Sequence, residues 1–153
     1  MPGYTVAELV EISVKIEEQG QSFYAAAAER IEDKSAREVL LQLAQDEKRH
    51  SRIFQSLLPN GTGVLPEEAA PYIKGLVETS VLKYLRASED HLATDSPVQL
   101  LEFALGFEKE TLLFYFSIRE FMDRRGQTVL RKIIGEEESH VRRILEMISE
   151  RQN

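Results

Sequence analysis

Two copies of one residue pattern, about ninety residues apart, constrain this chain more than any other feature. The first copy is Glu17, Tyr24 and Glu47-Lys48-Arg49-His50, and the second is Glu108, Tyr115 and Glu137-Glu138-Ser139-His140. In each copy the Tyr follows the first Glu by seven residues, and a Glu-x-x-His comes about thirty residues after that Glu. Seven residues are close to two helical turns and three are close to one. Each copy therefore aims its Glu and Tyr, or its Glu and His, along one helix face. Together the copies supply four carboxylates and two imidazoles, a ligand set for a pair of metal ions.

The apolar positions around these motifs repeat at helical spacing in four long segments. They run from about Thr5 to Ile31, Ser35 to Leu58, Ser96 to Arg125 and Gln127 to Glu150. Capping-box spacings open three of them: Thr5 with Glu8, Ser35 with Glu38, and Ser96 with Gln99. Pro97 fits a first helical position, and Gly126 fits the residue just past a helix end. Short turns make the first and second segments one antiparallel hairpin, and the third and fourth another. The stretch of about 59–95 is too long for a turn. It opens with Pro59-Asn60-Gly61-Thr62-Gly63 and then reads as helix in pieces, with Tyr72, Ile73, Leu76, Val77, Leu82 and Leu85 as apolar positions. It is expected to be a crossover laying the second hairpin against the first in parallel register. The expected fold is an all-α four-helix bundle with a pseudo-twofold axis, a single domain over residues 1–153.

Composition narrows the chemistry. The formal net charge is −7, which gains nothing from nucleic-acid phosphates and is repelled by anionic lipid. There is no Cys, which excludes disulfides, thiolate metal sites and thiol catalysis within this sequence. With no long apolar run and no basic N-terminal leader, the expectation is a soluble cytoplasmic protein without membrane or nucleic-acid partners.

The polar residues that fall on the apolar stripes carry the chemistry. The stripes read Ile16, Glu17, Gly20, Tyr24; Leu43, Glu47, His50, Phe54; Ala104, Glu108, Thr111, Tyr115; and Ile133, Glu137, His140, Ile144. Four ionised carboxylates in one core would raise one another's pKa values or unfold the bundle. Two divalent ions cancel that charge, and a carboxylate and imidazole donor set suits iron, manganese or zinc. A slip from Glu17 to Glu18 stays open. Tyr24 and Tyr115 read either as core aromatics or as hydrogen-bond partners of a ligand carboxylate. Gly20, Gly106 and Gly135 lie within three residues of the motif positions, leaving room for close helix approach or for a small oxidant. Glu18, Glu136, Glu138 and His91 read as solvated surface residues.

At these residues the chain resembles the ferritin-like di-iron superfamily, and within it the rubrerythrin branch. The segments IEEQGQSFY, LAQDEKRH, GFEKETLLFY and GEEESH are similar to the four helical signatures of that group. The resemblance implies Glu17 and Glu108 as terminal carboxylates, Glu47 and Glu137 as metal-bridging carboxylates, and His50 and His140 as terminal imidazoles. It implies two iron ions that reduce peroxide or dioxygen with electrons from a separate donor protein, in a homodimer or small homo-oligomer. The alternatives are ferritin-like iron oxidation and storage, or a metal-binding bundle without redox work.

Two departures stand against the branch pattern. Full-length rubrerythrins append a rubredoxin-like domain whose four Cys hold iron, and this sequence has no Cys. Rubrerythrins also commonly carry an extra carboxylate one turn after the third-helix Glu, where this chain has Thr111. Glu110 is close in sequence but points about 200° away around the helix.

Overall fold

The computed structural model describes residues 3–58 and 63–152, so the expected loop at 59–62 lies outside the described residues. Among the described residues six α-helices follow in order: α1 (Val6–Arg30), α2 (Lys34–Leu57), α3 (Ala70–Leu76), α4 (Leu82–Thr94), α5 (Pro97–Arg119) and α6 (Arg124–Gln152). A π turn at Val77–Val81 joins α3 to α4, so the crossover is one helical run that buries Ile73, Val77 and Val81. The chain is therefore a four-helix bundle of two hairpins with a helical crossover laid across it. No described helix is long and apolar enough to cross a membrane.

Helix starts follow local capping chemistry, with two corrections. The Thr5–Glu8 and Ser96–Gln99 boxes both form, and Pro97 takes the first helical position of α5. The Ser35–Glu38 box does not. Asp33 is the N-cap of α2, its carboxylate accepting from the Ser35 N–H at 2.9 Å. Asp is as good a cap as Ser, and it lies nearer the point where the chain leaves α1. Gly126 does not end a helix either. α5 stops at Arg119, and Gly126 sits in the first turn of α6, donating its N–H to Asp123 Oδ1 at 2.7 Å. Among the described residues Gly63 alone has a positive φ, 140°, beside the isolated bridge that pairs Thr5 with Val64.

Contacts between the hairpins fix the direction of each helix. Tyr24 meets Glu108 and Tyr115 meets Glu17, so α1 and α5 run antiparallel. Arg143 meets Gln42 and His140 meets Asp46, while Glu136 meets His50, so α2 and α6 do the same. The parallel relation expected of the hairpins thus belongs to α2 and α5, the helices on either side of the crossover. The crossover is tied to α1 by Gln19 to Ser88, and by Arg30, which donates to the backbone carbonyls of Leu92 and Asp95.

The apolar core is in two parts. One contains Leu9, Ile16, Phe54, Phe114, Tyr115, Ile118, Leu130 and Ile133, and the other Phe23, Tyr24, Leu40, Leu43, Leu101, Ala104 and Ile144. Every bundle helix passes from one part to the other, and does so at its motif residues. A polar layer therefore cuts the bundle at mid-height. Tyr72, an apolar position of the crossover by sequence, is instead 57 % exposed, and Leu145 on α6 is 46 % exposed. They stand at stripe edges, where a helix face turns from its neighbours to water.

Candidate metal centre

Glu17, Glu47, His50, Glu108, Glu137 and His140 are each at most 1 % exposed. All six converge in the polar layer, one residue from α1, two from α2, one from α5 and two from α6. Glu18 and Glu138 face solvent, whereas Glu17 is buried. Two groups of four form, with candidate donor atoms within 4.8 Å of one another: Glu17, Glu47, His50, Glu137 and Glu47, Glu108, Glu137, His140. Glu47 and Glu137 belong to both.

The imidazoles are aimed by their outer nitrogens. His50 Nδ1 faces inward, 2.9 Å from Glu137 and 3.4 Å from Glu17, while Nε2 contacts Glu136. His140 Nδ1 lies 2.9 Å from Glu47 and Glu137 and 3.4 Å from Glu108, while Nε2 is 3.1 Å from Asp46. A carboxylate on Nε2 favours the proton there and leaves the Nδ1 lone pair facing the centre. Arg49 spans the two outer carboxylates, 3.2 Å from Asp46 and 3.1 Å from Glu136. Glu136 is thus not the freely solvated side chain that sequence suggested. A shared signal was present: an acid directly precedes each motif Glu, as Asp46-Glu47 and Glu136-Glu137.

Both tyrosines serve the layer from the opposite hairpin. Tyr115 donates to Glu17 at 2.5 Å, and Tyr24 donates to Glu108 in the equivalent way. Burial, then the facing carboxylates, push both hydroxyls well above their usual pKa, so they remain donors.

The protonation pattern is that of a cluster short of positive charge. Burial, then the charges of Glu137, Glu17 and Glu108, push Glu47 well above the carboxylate range. Burial and Glu137 push Glu108 up to about 8, against the opposing pull of His140. Burial also acts on Glu17, but contacts with Glu47, His50 and Tyr115 outweigh it and hold its pKa below the usual value. Burial disfavours charged imidazoles, yet the carboxylates around them raise His50 and His140 to about 11. Protons on these groups supply the charge that divalent ions would otherwise supply.

The donor geometry fits a metal better than it fits protons. Glu17 Oε2, Glu47 Oε1, Glu137 Oε2 and His140 Nδ1 are buried with no aligned hydrogen-bond partner. His140 Nδ1 has two carboxylate oxygens at 2.9 Å, yet makes no aligned bond to either. Buried lone pairs left unpaired among donors within 4.8 Å of one another suit a shared cation, while His50 Nδ1 pairs with Glu137 Oε1 at 2.9 Å. Ligands about 2.0–2.2 Å from one ion stand roughly 3–4.4 Å apart, which these contacts allow. An oxygen and imidazole donor set of this kind fits iron binding.

The three glycines serve different ends. A Cβ on Gly20 would sit 3.1 Å from Glu47 Oε2, so this glycine makes room for a cluster carboxylate and not for an oxidant. A Cβ on Gly106 would meet the Tyr84 hydroxyl at 2.5 Å, so it admits the crossover. Gly135 faces open space, with nothing within 4 Å. Thr111 is buried beside Glu108, whereas Glu110 belongs to neither donor group and raises the Tyr84 hydroxyl, after burial. His91 is less free than expected: it stacks on Phe103 at 4.2 Å and bonds to Asp95 at 2.6 Å.

Comparison with known proteins agrees with this architecture. A crystal structure from Thermotoga maritima, described as a candidate ferritin-like diiron-carboxylate protein, superposes with a TM-score of 0.72 at 21 % identity, covering 98 % of each chain. That likeness shows the fold, a ferritin-like helical bundle. No curated protein sequence matches this one significantly. The family model of rubrerythrin matches residues 8–148, which include all six cluster residues and both tyrosines. The chain belongs to the rubrerythrin family.

Proposed function

We propose that the protein is a di-iron oxidoreductase that reduces peroxide or dioxygen with electrons from a separate donor. In this reading Glu17 and His50 would hold one ion, Glu108 and His140 would hold the other, and Glu47 and Glu137 would serve both. The observation that carries it is the overlap of the two donor groups, which share Glu47 and Glu137 and no other residue. Iron bound there would supply the electrons that cleave an oxygen–oxygen bond.

The chain's own residues would set the conditions for that chemistry. The two halves of the apolar core exclude bulk water above and below the layer. Asp46 and Glu136 hold the imidazoles in the tautomer that presents Nδ1. Tyr115 holds Glu17 by Oε1 and leaves Oε2 facing His50, whereas Tyr24 holds the same Glu108 oxygen that faces His140. Thr111 occupies the place of the extra family carboxylate, which leaves the proposed centre with four carboxylates.

The test is oxidation of ferrous-loaded protein by peroxide, followed by stopped-flow absorbance. Fast growth of diferric absorbance is expected in the wild type, and none in a Glu47→Ala/Glu137→Ala variant. Equal rates in both would reject the proposal. Light scattering addresses the storage alternative: a dimer or small oligomer is expected, and a very large closed particle would favour storage.

A further inference from the structure

The pseudo-twofold axis duplicates the polar layer but not its link to the surface. On one side Tyr24, which bonds to Glu108, touches Phe23 at 5.7 Å between ring centroids, and Phe23 touches Phe103 at 5.2 Å. Phe103 then meets Tyr84 at 5.3 Å and His91 at 4.2 Å. On the other side Tyr115 touches Phe54 and Phe114, both at most 1 % exposed, and among the described residues the ring contacts stop there.

The surface end of the longer chain is a pocket of about 440 Å³ between α4 and the start of α5. This volume lies within the ~300–1,000 Å³ of small-molecule sites. Phe103, Tyr84 and His91 give it aromatic walls, and Lys83, Gln99 and Glu102 add polar groups of both hydrogen-bonding kinds. His91 is held by Asp95 and stacked on Phe103, so that wall is set before any ligand arrives. Aromatic walls suit a planar π system, and mixed donors and acceptors suit a heteroaromatic edge.

We propose that this pocket binds a planar heteroaromatic reductant of the flavin class, and that Phe103, Phe23 and Tyr24 conduct its electrons to the metal centre. The proposal rests on the di-iron reading for its redox half alone. Electronic coupling falls steeply across empty gaps and less steeply through rings in contact, so one continuous ring path favours one inlet. The balance closes without another reactant. A flavin hydroquinone gives one electron to each of two ferric ions, releases two protons to solvent, and leaves as oxidised flavin.

The first arm titrates riboflavin fluorescence with protein to which no iron has been added. Saturable quenching is expected, with affinity weakened about tenfold or more by Phe103→Leu or His91→Ala. The second arm mixes peroxide-oxidised, iron-loaded protein anaerobically with photoreduced riboflavin and follows the loss of diferric absorbance. Phe23→Leu, which does not line the pocket, is expected to slow that loss about tenfold or more. Phe54→Leu, a core truncation of the same kind on the side without a surface link, is expected to keep the wild-type rate. Absence of quenching, or equal slowing by Phe23→Leu and Phe54→Leu, or slowing by neither, overturns the proposal. A wild type that never develops diferric absorbance rejects the iron reading instead, while the riboflavin titration still decides the pocket.

Discussion

Tyr115 reaches across the bundle and donates its hydroxyl to Glu17 at 2.5 Å, the mirror of what Tyr24 does for Glu108. Each hairpin thus holds a carboxylate of the other. Tyr115→Phe leaves a buried carboxylate oxygen without its donor, at a cost of about 1–3 kcal/mol. Metal affinity is expected to drop roughly 10–100-fold, and by a similar factor in Tyr24→Phe. Competition with a chromophoric chelator measures both. An unchanged affinity would mean the tyrosines are core filler.

Without metal, stability should fall as pH rises. His50 and His140 are raised to about 11, Glu108 to about 8, and Glu47 well above the carboxylate range. The folded state therefore holds more protons than the unfolded chain across this range. The slope of unfolding free energy with pH is then negative. The imidazole contribution is full below the unfolded value near ~6.5 and lost as pH climbs through the folded value. The carboxyl groups of Glu47 and Glu108 add to the same slope from about pH 4.5 upward. Thermal melts of metal-free protein from pH 5 to 9 should show a falling Tm, with each lost kcal/mol reading as about 2–4 °C. Metal-loaded protein should not follow that fall, because binding displaces the protons. Parallel pH profiles for the two forms would contradict the account.

The Arg49 bridge connects the outer carboxylates of both imidazoles. Asp46→Ala frees His140 and Glu136→Ala frees His50. Each is expected to weaken metal binding about 10–100-fold. Arg49→Ala acts on both halves at once and should be milder, since its pairs are partly exposed. Arg49→Lys should restore only part of the loss, as an ammonium cannot fork across two carboxylates. Isothermal titration with ferrous or manganous ion provides the comparison.

Glycine substitutions separate packing from the site. Gly135→Ala meets nothing and should stabilise the protein by about 0.5–1 kcal/mol, as expected for an exposed mid-helix glycine. Gly20→Ala presses on the Glu47 carboxylate and should weaken metal binding. Gly106→Ala collides with the Tyr84 hydroxyl and should destabilise the crossover. Denaturant melts with and without metal distinguish the three cases.

Much of this arrangement was legible from residue spacing. Glu17 with Tyr24, and Glu47 with His50, lie whole turns apart, and helical geometry alone aligns them. Their counterparts ninety residues on announced the pseudo-twofold axis. What spacing could not give was the contact between helices. Glu136 points about 100° away from Glu137 on its own helix and so reads as solvated. It meets His50 because α6 runs antiparallel beside α2. Gly126 failed as a helix end because the chain turns tightly after Arg119, with Phe121 bonding back to Ile118, and Asp123 caps the next helix early. The aromatic path was hidden for the same reason. Phe23 and Phe103 are eighty residues apart in sequence and meet only in the folded bundle.

The central claim is that buried acids tolerate one another here because two cations lie among them. Elemental analysis of the purified protein, with the absorption spectrum of its oxidised form, tests this most directly. Two irons per chain and oxo-bridged diferric absorbance are predicted, both lost together in Glu47→Ala/Glu137→Ala. A wild-type protein that takes up no metal when supplied with ferrous iron, or a variant that retains the wild-type metal content, would contradict it.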